Sequence, residues 1–111
     1  MAVEKQFKDN KMAKYTIPLS AEPNQTFSID LNGQKCSFEF ITRGIYMFMN
    51  MTLNGVNIIN GMICLNKVSL VQYTHFGFKG KLYFEDTQGE LDPMYYGLND
   101  RWLLIYEDED V

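Results

Sequence analysis

Two Asn-Gly pairs, each set between alternating apolar runs, constrain this chain more than any other feature. In "TFSIDL" the residues Phe27, Ile29 and Leu31 alternate with Ser28 and Asp30. After Asn32-Gly33 the run "QKCSFEF" puts Cys36, Phe38 and Phe40 on one side and Ser37 and Glu39 on the other. A period of two is that of a strand with one buried face. Asn and Gly both tolerate φ > 0, the backbone that tight hairpin turns require, so the pair predicts a hairpin with a pinned register. The same grammar recurs in "IYMFMNMTL", Asn54-Gly55 and "VNIINGMICL". Here the first strand is apolar on both sides, with Ile45, Met47, Met49 and Met51 on one and Tyr46 and Phe48 on the other. Such a strand calls for cover on both faces, by the chain's own N-terminal arm, by a sheet folded across, or by another subunit. Tyr46, Met47, Phe48, Met49 and Met51 are therefore candidate interface residues. Asn60-Gly61 predicts a bulge or bend within the return strand.

The rest of the chain follows the β pattern. "YTIPL" opens it, with Pro18 confined to an edge or a strand end because it has no N–H for a ladder. "VSLVQY", "KLYFED" and "RWLLIYEDED" supply further runs, and "THFGFKG" links the first two. In "TQGELDPMYYGLND" the pair Asp92-Pro93 predicts an N-cap followed by proline at the first helical position, with Gly97 ending a single short turn. The runs predict an all-β, single-domain antiparallel barrel or sandwich of about seven or eight strands, with at most one short helical turn. Its parts are an N-terminal arm at 1–14, the β domain at 15–106 and an acidic tail at 107–111.

At 111 residues, 46% hydrophobic and 22% charged, the chain has the composition of one folded domain. Aromatics at 14% and 7 methionines exceed what a small core needs, so some belong at an interface. Charge is uneven: the lysines at 5, 8, 11 and 14 make the arm basic, the tail carries acids at 107, 108, 109 and 110 and no base, and the body between is mildly acidic. The N-terminus lacks the apolar run of a signal peptide, and no stretch has the ~18 apolar residues of a membrane span. Synthesis in a cytoplasm is expected, which argues against glycan attachment at Asn24-Gln25-Thr26 or Asn50-Met51-Thr52. Cys36 and Cys64 are expected as buried, reduced thiols, since no CxxC or histidine cluster accompanies them.

Nothing in the sequence forms a catalytic motif: there is no GxSxG, HExxH or phosphate-binding glycine loop. His75 is the single histidine and lies beside a glycine link, where a turn residue is the ordinary role. Asp86, Glu90 and Asp92 share a loop, but their spacing is not that of an EF-hand. No cofactor is expected. An OB-like binder of single-stranded nucleic acid would suit the aromatics, though not the acidic body. A barrel holding a small apolar ligand is the other alternative to a structural subunit.

Three segments together carry a family resemblance. They are "YTIPLSAEPNQTFSIDLNGQ", the run Phe76-Gly77-Phe78-Lys79-Gly80-Lys81-Leu82-Tyr83, and "LDPMYYGLNDRWLLIY". From Tyr15 to Tyr106 the chain resembles the baseplate plug proteins of contractile-tailed phages. The most specific parts are Ile17-Pro18-Leu19 with Pro23, Asn24, Gln25, Thr26 and Phe27, and Asp92-Pro93 with Tyr95, Leu98, Arg101 and Tyr106. The resemblance implies a non-enzymatic virion protein, a homotrimer at the centre of the tail baseplate. There it would contact hub, spike and tail-tube proteins and hold the tube–hub junction closed until DNA is ejected. It implies no membrane contact, and nucleic acid only by proximity to the DNA channel. The Met-rich hairpin at 45–65 and the lysine arm depart from the family pattern. Asn24 and Asp92 are expected to bond nearby backbone N–H groups as turn residues. Arg101 is expected to pair with Asp92 or another acid of the loop, tying the irregular segment to the last strand.

Overall fold

Alternation and turn chemistry produce the strands where they are strongest. The computed structural model describes residues 12–72 and 77–109. Seven strands lie in these residues: β1 (Met12–Ile17), β2 (Asn24–Leu31), β3 (Gln34–Arg43), β4 (Tyr46–Leu53), β5 (Val56–Ile63), β6 (Lys81–Asp86) and β7 (Trp102–Glu109). The helical element among them is one 3₁₀ turn, Tyr95–Gly97. Strands β2-β3-β4-β5 make an antiparallel meander, and β1-β7-β6 make a second antiparallel sheet. The all-β expectation holds, as an open sandwich whose two sheets do not close into one barrel.

Both Asn-Gly pairs are the two-residue turns expected. Asn32 and Gly33 have φ of 55° and 81°, Asn54 and Gly55 of 51° and 85°, the signature of a turn whose twist matches the strands it joins. The register follows: Leu31 faces Gln34, and Leu53 faces Val56. The predicted bulge is present at Asn60-Gly61, where Met49 pairs with Met62 and Met51 with Ile59. The Gly61 N–H there donates to Asn50 Oδ1 at 2.7 Å.

The sheets meet through their inner faces. Phe38 and Phe40 of β3, Met47, Met49 and Met51 of β4, Phe84 of β6, and Trp102, Leu104 and Tyr106 of β7 are buried in one core. Phe40 packs edge-on against Phe84 across the gap, centroids 5.7 Å apart. Each large apolar side chain so buried contributes roughly 1.5–3 kcal/mol. At one end Gln34 bridges the layers, donating to the carbonyls of Leu31 and Lys79 at 3.1 Å and accepting the Lys79 N–H at 2.8 Å. Asn32 Nδ2 donates to Asp108 Oδ1 beside it, 2.8 Å away.

Three expectations are corrected. "VSLVQY" supplies no strand among its described residues. The chain meets β6 just ahead of this segment, through an isolated parallel bridge from Asn66 to Phe84 and the Lys67 N–H bond to Phe84 O, and within it Leu70 N–H bonds Leu82 O. Ile45 does not share the inner face of β4, because it lies in the Gly44-Ile45 turn and is 68% exposed. Asp92 does not cap the helical turn; Met94 holds that position, and no side chain caps it. Strand β1 already includes Met12–Ile17, and β7 extends to Glu109, so strand pairing reaches into both the arm and the acidic tail. The lysines at 5, 8 and 11, and His75, lie outside the described residues.

Candidate interface on the four-stranded sheet

The first signature segment is a corner stitched by side chains. Gln25 closes it, donating to Ser20 O at 2.7 Å while its Oε1 accepts the Ser20 N–H at 3.0 Å. Asn24, the first residue of β2, accepts the Thr42 N–H at 3.1 Å, and Thr42 Oγ1 donates to Pro23 O at 2.7 Å. Asn24 thus bonds a backbone N–H across the β2–β3 pair rather than within a turn: with Gln25 and Thr26 it opens strand β2, which corrects the turn expected for these residues. Thr26 faces outward opposite Glu39.

The second signature segment is organised by one ion pair. Arg101 donates through Nε and Nη2 to the two oxygens of Asp86, at 2.7 and 2.8 Å. Of the partners expected for Arg101, the acid other than Asp92 is the one found, and it closes β6 rather than lying in the loop. Asp92 instead accepts the Asn66 N–H at 2.9 Å. The Asp86 side chain is fully buried and also accepts the N–H groups of Gln88 and Leu91, each at 2.9 Å. The Arg101 guanidinium, helped by these donors, holds the Asp86 carboxyl well below the usual carboxylate range. The carboxylate in turn raises the already high pKa of Arg101. The guanidinium carbon also lies 4.7 Å from the Trp102 ring centroid. Pro93 and Leu98 are buried, and Tyr95 packs partly buried against the core. These residues build the fold. Among the described residues no cluster of His, Cys, Asp and Glu could hold a metal ion.

The proposed interface residues separate into two groups. Met47, Met49 and Met51 are at most 1% exposed and fill the core between the sheets, so a partner cannot reach them without opening it. Tyr46 and Phe48 point the other way, onto the outer face of the four-stranded sheet, because side chains alternate along β4. Cross-strand register shows what surrounds them. Phe48 faces Ile41 on β3 and Ile63 on β5, and Tyr46 faces Arg43 one row closer to the turn. Ile41, Phe48 and Ile63 form an apolar row across three strands, all only partly buried and none packed on the core.

The next rows are different in kind. Thr26, Glu39 and Asn50 make one, and Ser28, Ser37, Thr52 and Asn57 the next. Their hydrogen bonds run along the face: Asn50 Nδ2 to Glu39 Oε1 at 2.9 Å, and Ser28 Oγ to Ser37 Oγ at 3.0 Å. The outer face is thus half polar and half apolar, with the apolar half toward the Gly44-Ile45 turn.

That end of the molecule carries further apolar surface. Strands β3 and β6 run in the same direction, since Gln34 bonds Lys79 just before β6 and Phe40 packs on Phe84. The Gly44-Ile45 turn and the segment after β6 therefore share one end. Ile45 is exposed there, as are Leu91 at 52% and Tyr96 at 65%. Sequence reasoning found Tyr46 and Phe48 but missed Ile41 and Ile63. Counting pairs outward from the turns would have matched Ile41 to Phe48. The bulges of β5 hide Ile63 from the same count.

The chain matches no curated protein. The family model described as cyanophage baseplate Pam3 plug gp18 matches residues 14–109, spanning all seven strands but for the first residues of β1. By that match the chain belongs to this family of phage baseplate plug proteins.

Proposed function

We propose that the chain is a non-enzymatic structural subunit of a contractile-tail virion, placed where tail tube meets hub, which keeps that junction closed until DNA is ejected. Family membership supports a location in the tail baseplate and contact with other baseplate components. The observation that carries the contact is the outer apolar row Ile41–Phe48–Ile63, flanked by Tyr46 and the exposed Ile45. An apolar row on the outside of a sheet is a burial site for a neighbour, because stable association draws on desolvated apolar surface at the centre of the contact. We assign this row to a homotrimer contact or to the hub, spike or tube. Synthesis in the bacterial host cytoplasm and nucleic acid only as a nearby passenger complete the reading. The outer face balances its cations Lys35 and Arg43, set at opposite ends of β3, against Asp30 and Glu39, and this lack of a basic groove disfavours single-stranded nucleic-acid binding there.

Light scattering of the purified chain, alone and mixed with hub protein, tests it. Association that Phe48→Asp abolishes, while Glu39→Gln leaves it intact, supports the reading. A strict monomer that also ignores the hub contradicts it.

A further inference from the structure

The three Asn-Gly pairs are chemically alike in sequence and unlike in structure. Asn-Gly is the dipeptide most open to self-modification, because glycine has no Cβ to keep its backbone nitrogen from the preceding amide. At Asn32-Gly33 both reacting groups are occupied. The Gly33 N–H donates to Asp30 Oδ1 at 2.9 Å, and the Asn32 amide nitrogen donates to Asp108 Oδ1 at 2.8 Å. Asn60-Gly61 is held in the same manner, with the Gly61 N–H on Asn50 Oδ1 at 2.7 Å and the Asn60 amide on Asn57 Oδ1 at 2.7 Å.

Asn54-Gly55 is different. Its carbonyl oxygen accepts the Lys35 N–H at 3.1 Å, which polarises the carbonyl, and among the described residues no side chain accepts from Gly55 N–H or from the Asn54 amide. Both residues are exposed, and a Cβ on Gly55 would meet nothing within 4 Å, so solvent reaches the reacting atoms.

We propose that Asn54 is a site of spontaneous deamidation, selected by the fold over the other two pairs. After solvent base takes its proton, the Gly55 nitrogen bonds to Asn54 Cγ. The Cγ–Nδ2 bond breaks, and the amide nitrogen leaves as ammonia, taking up one proton from solvent. Water then opens the cyclic imide at one carbonyl or the other, leaving aspartate or isoaspartate. No oxidant or reductant is involved. Either product adds a negative charge at the β4–β5 turn, and isoaspartate also lengthens its backbone by one methylene, which a two-residue turn cannot absorb without losing register.

Prolonged incubation at mildly alkaline pH, followed by peptide mass mapping with isoaspartate-specific methylation, provides the test. The native protein should lose its unmodified Asn54 peptide while the Asn32 and Asn60 peptides stay intact, and Asn54→Gln should remove the isoaspartate signal. In urea, where the guarding bonds are gone, all three sites should convert. Survival of Asn54 in the native protein, equal conversion at all three sites, or selectivity that persists in urea would overturn the proposal.

Discussion

Glycines at 61 and 97 are needed for opposite reasons, and the difference is measurable. Gly61 sits at φ +71° with open space where a Cβ would go, so alanine there suffers only the backbone cost of that region, about 1–2 kcal/mol. Gly97 has ordinary backbone, but its Cβ would lie 2.5 Å from the Trp102 ring. Gly97→Ala should lower the urea midpoint more than Gly61→Ala, because Trp102 is buried in the core and cannot move aside freely. Asp86 gives a pH signature. Its folded pKa is depressed, so the unfolded chain binds more protons as pH falls through the ordinary carboxylate range. The stability it contributes is fully present at neutral pH and is lost on acidification below about pH 4, toward its folded pKa. In urea titrations across pH, Asp86→Asn should cost most at neutral pH and flatten the acid limb. The thiols should be silent: burial, then the Asp30 charge, push Cys36 up to about 12, and burial raises Cys64 as well. Neither should react with a thiol reagent until the protein unfolds, and prompt labelling in the native state would contradict this.

Among the elements, the hairpins were legible in the sequence because two local codes agreed there, period-two alternation and Asn-Gly turns. The register of β2 on β3 then followed from counting, and Cys36, Phe38 and Phe40 lie inward as alternation predicts. Legibility failed where one code was missing. "VSLVQY" has strand-like composition, yet among its described residues it makes one backbone bond to β6, Leu70 N–H to Leu82 O, and no ladder, a tertiary arrangement that local pattern does not encode. The two-faced β4 was legible as two-faced, but the identity of its covers was not. Its methionine face lies under the second sheet, and Phe48 does not. Arg101 could be assigned to a loop acid but not to Asp86, because the choice depends on where β6 ends relative to β7. The two faces should respond differently to truncation. Phe38→Ala should cost about 3–5 kcal/mol as a core cavity, whereas Ser37→Ala on the outer face should stay within about 0.5 kcal/mol. Chemical denaturation compares them directly.

For the whole molecule, the two layers divide the work. The inner faces, the Gln34 bridge and the Asp86–Arg101 pair hold one chain together, and none of them requires a neighbour. The outer apolar row and the exposed Ile45, Leu91 and Tyr96 contribute little to that internal stability, which leaves them free for assembly. Phe48→Asp should therefore unfold near the wild-type temperature while failing to associate. The most direct measurement is its incorporation into tails. Phage lacking their own plug protein are supplied with wild-type or Phe48→Asp chain, and the chain retained per purified baseplate is quantified. The proposed role predicts that wild type is retained and that folded Phe48→Asp is lost from the particles, whereas normal retention of Phe48→Asp would contradict the outer apolar row as the surface of assembly.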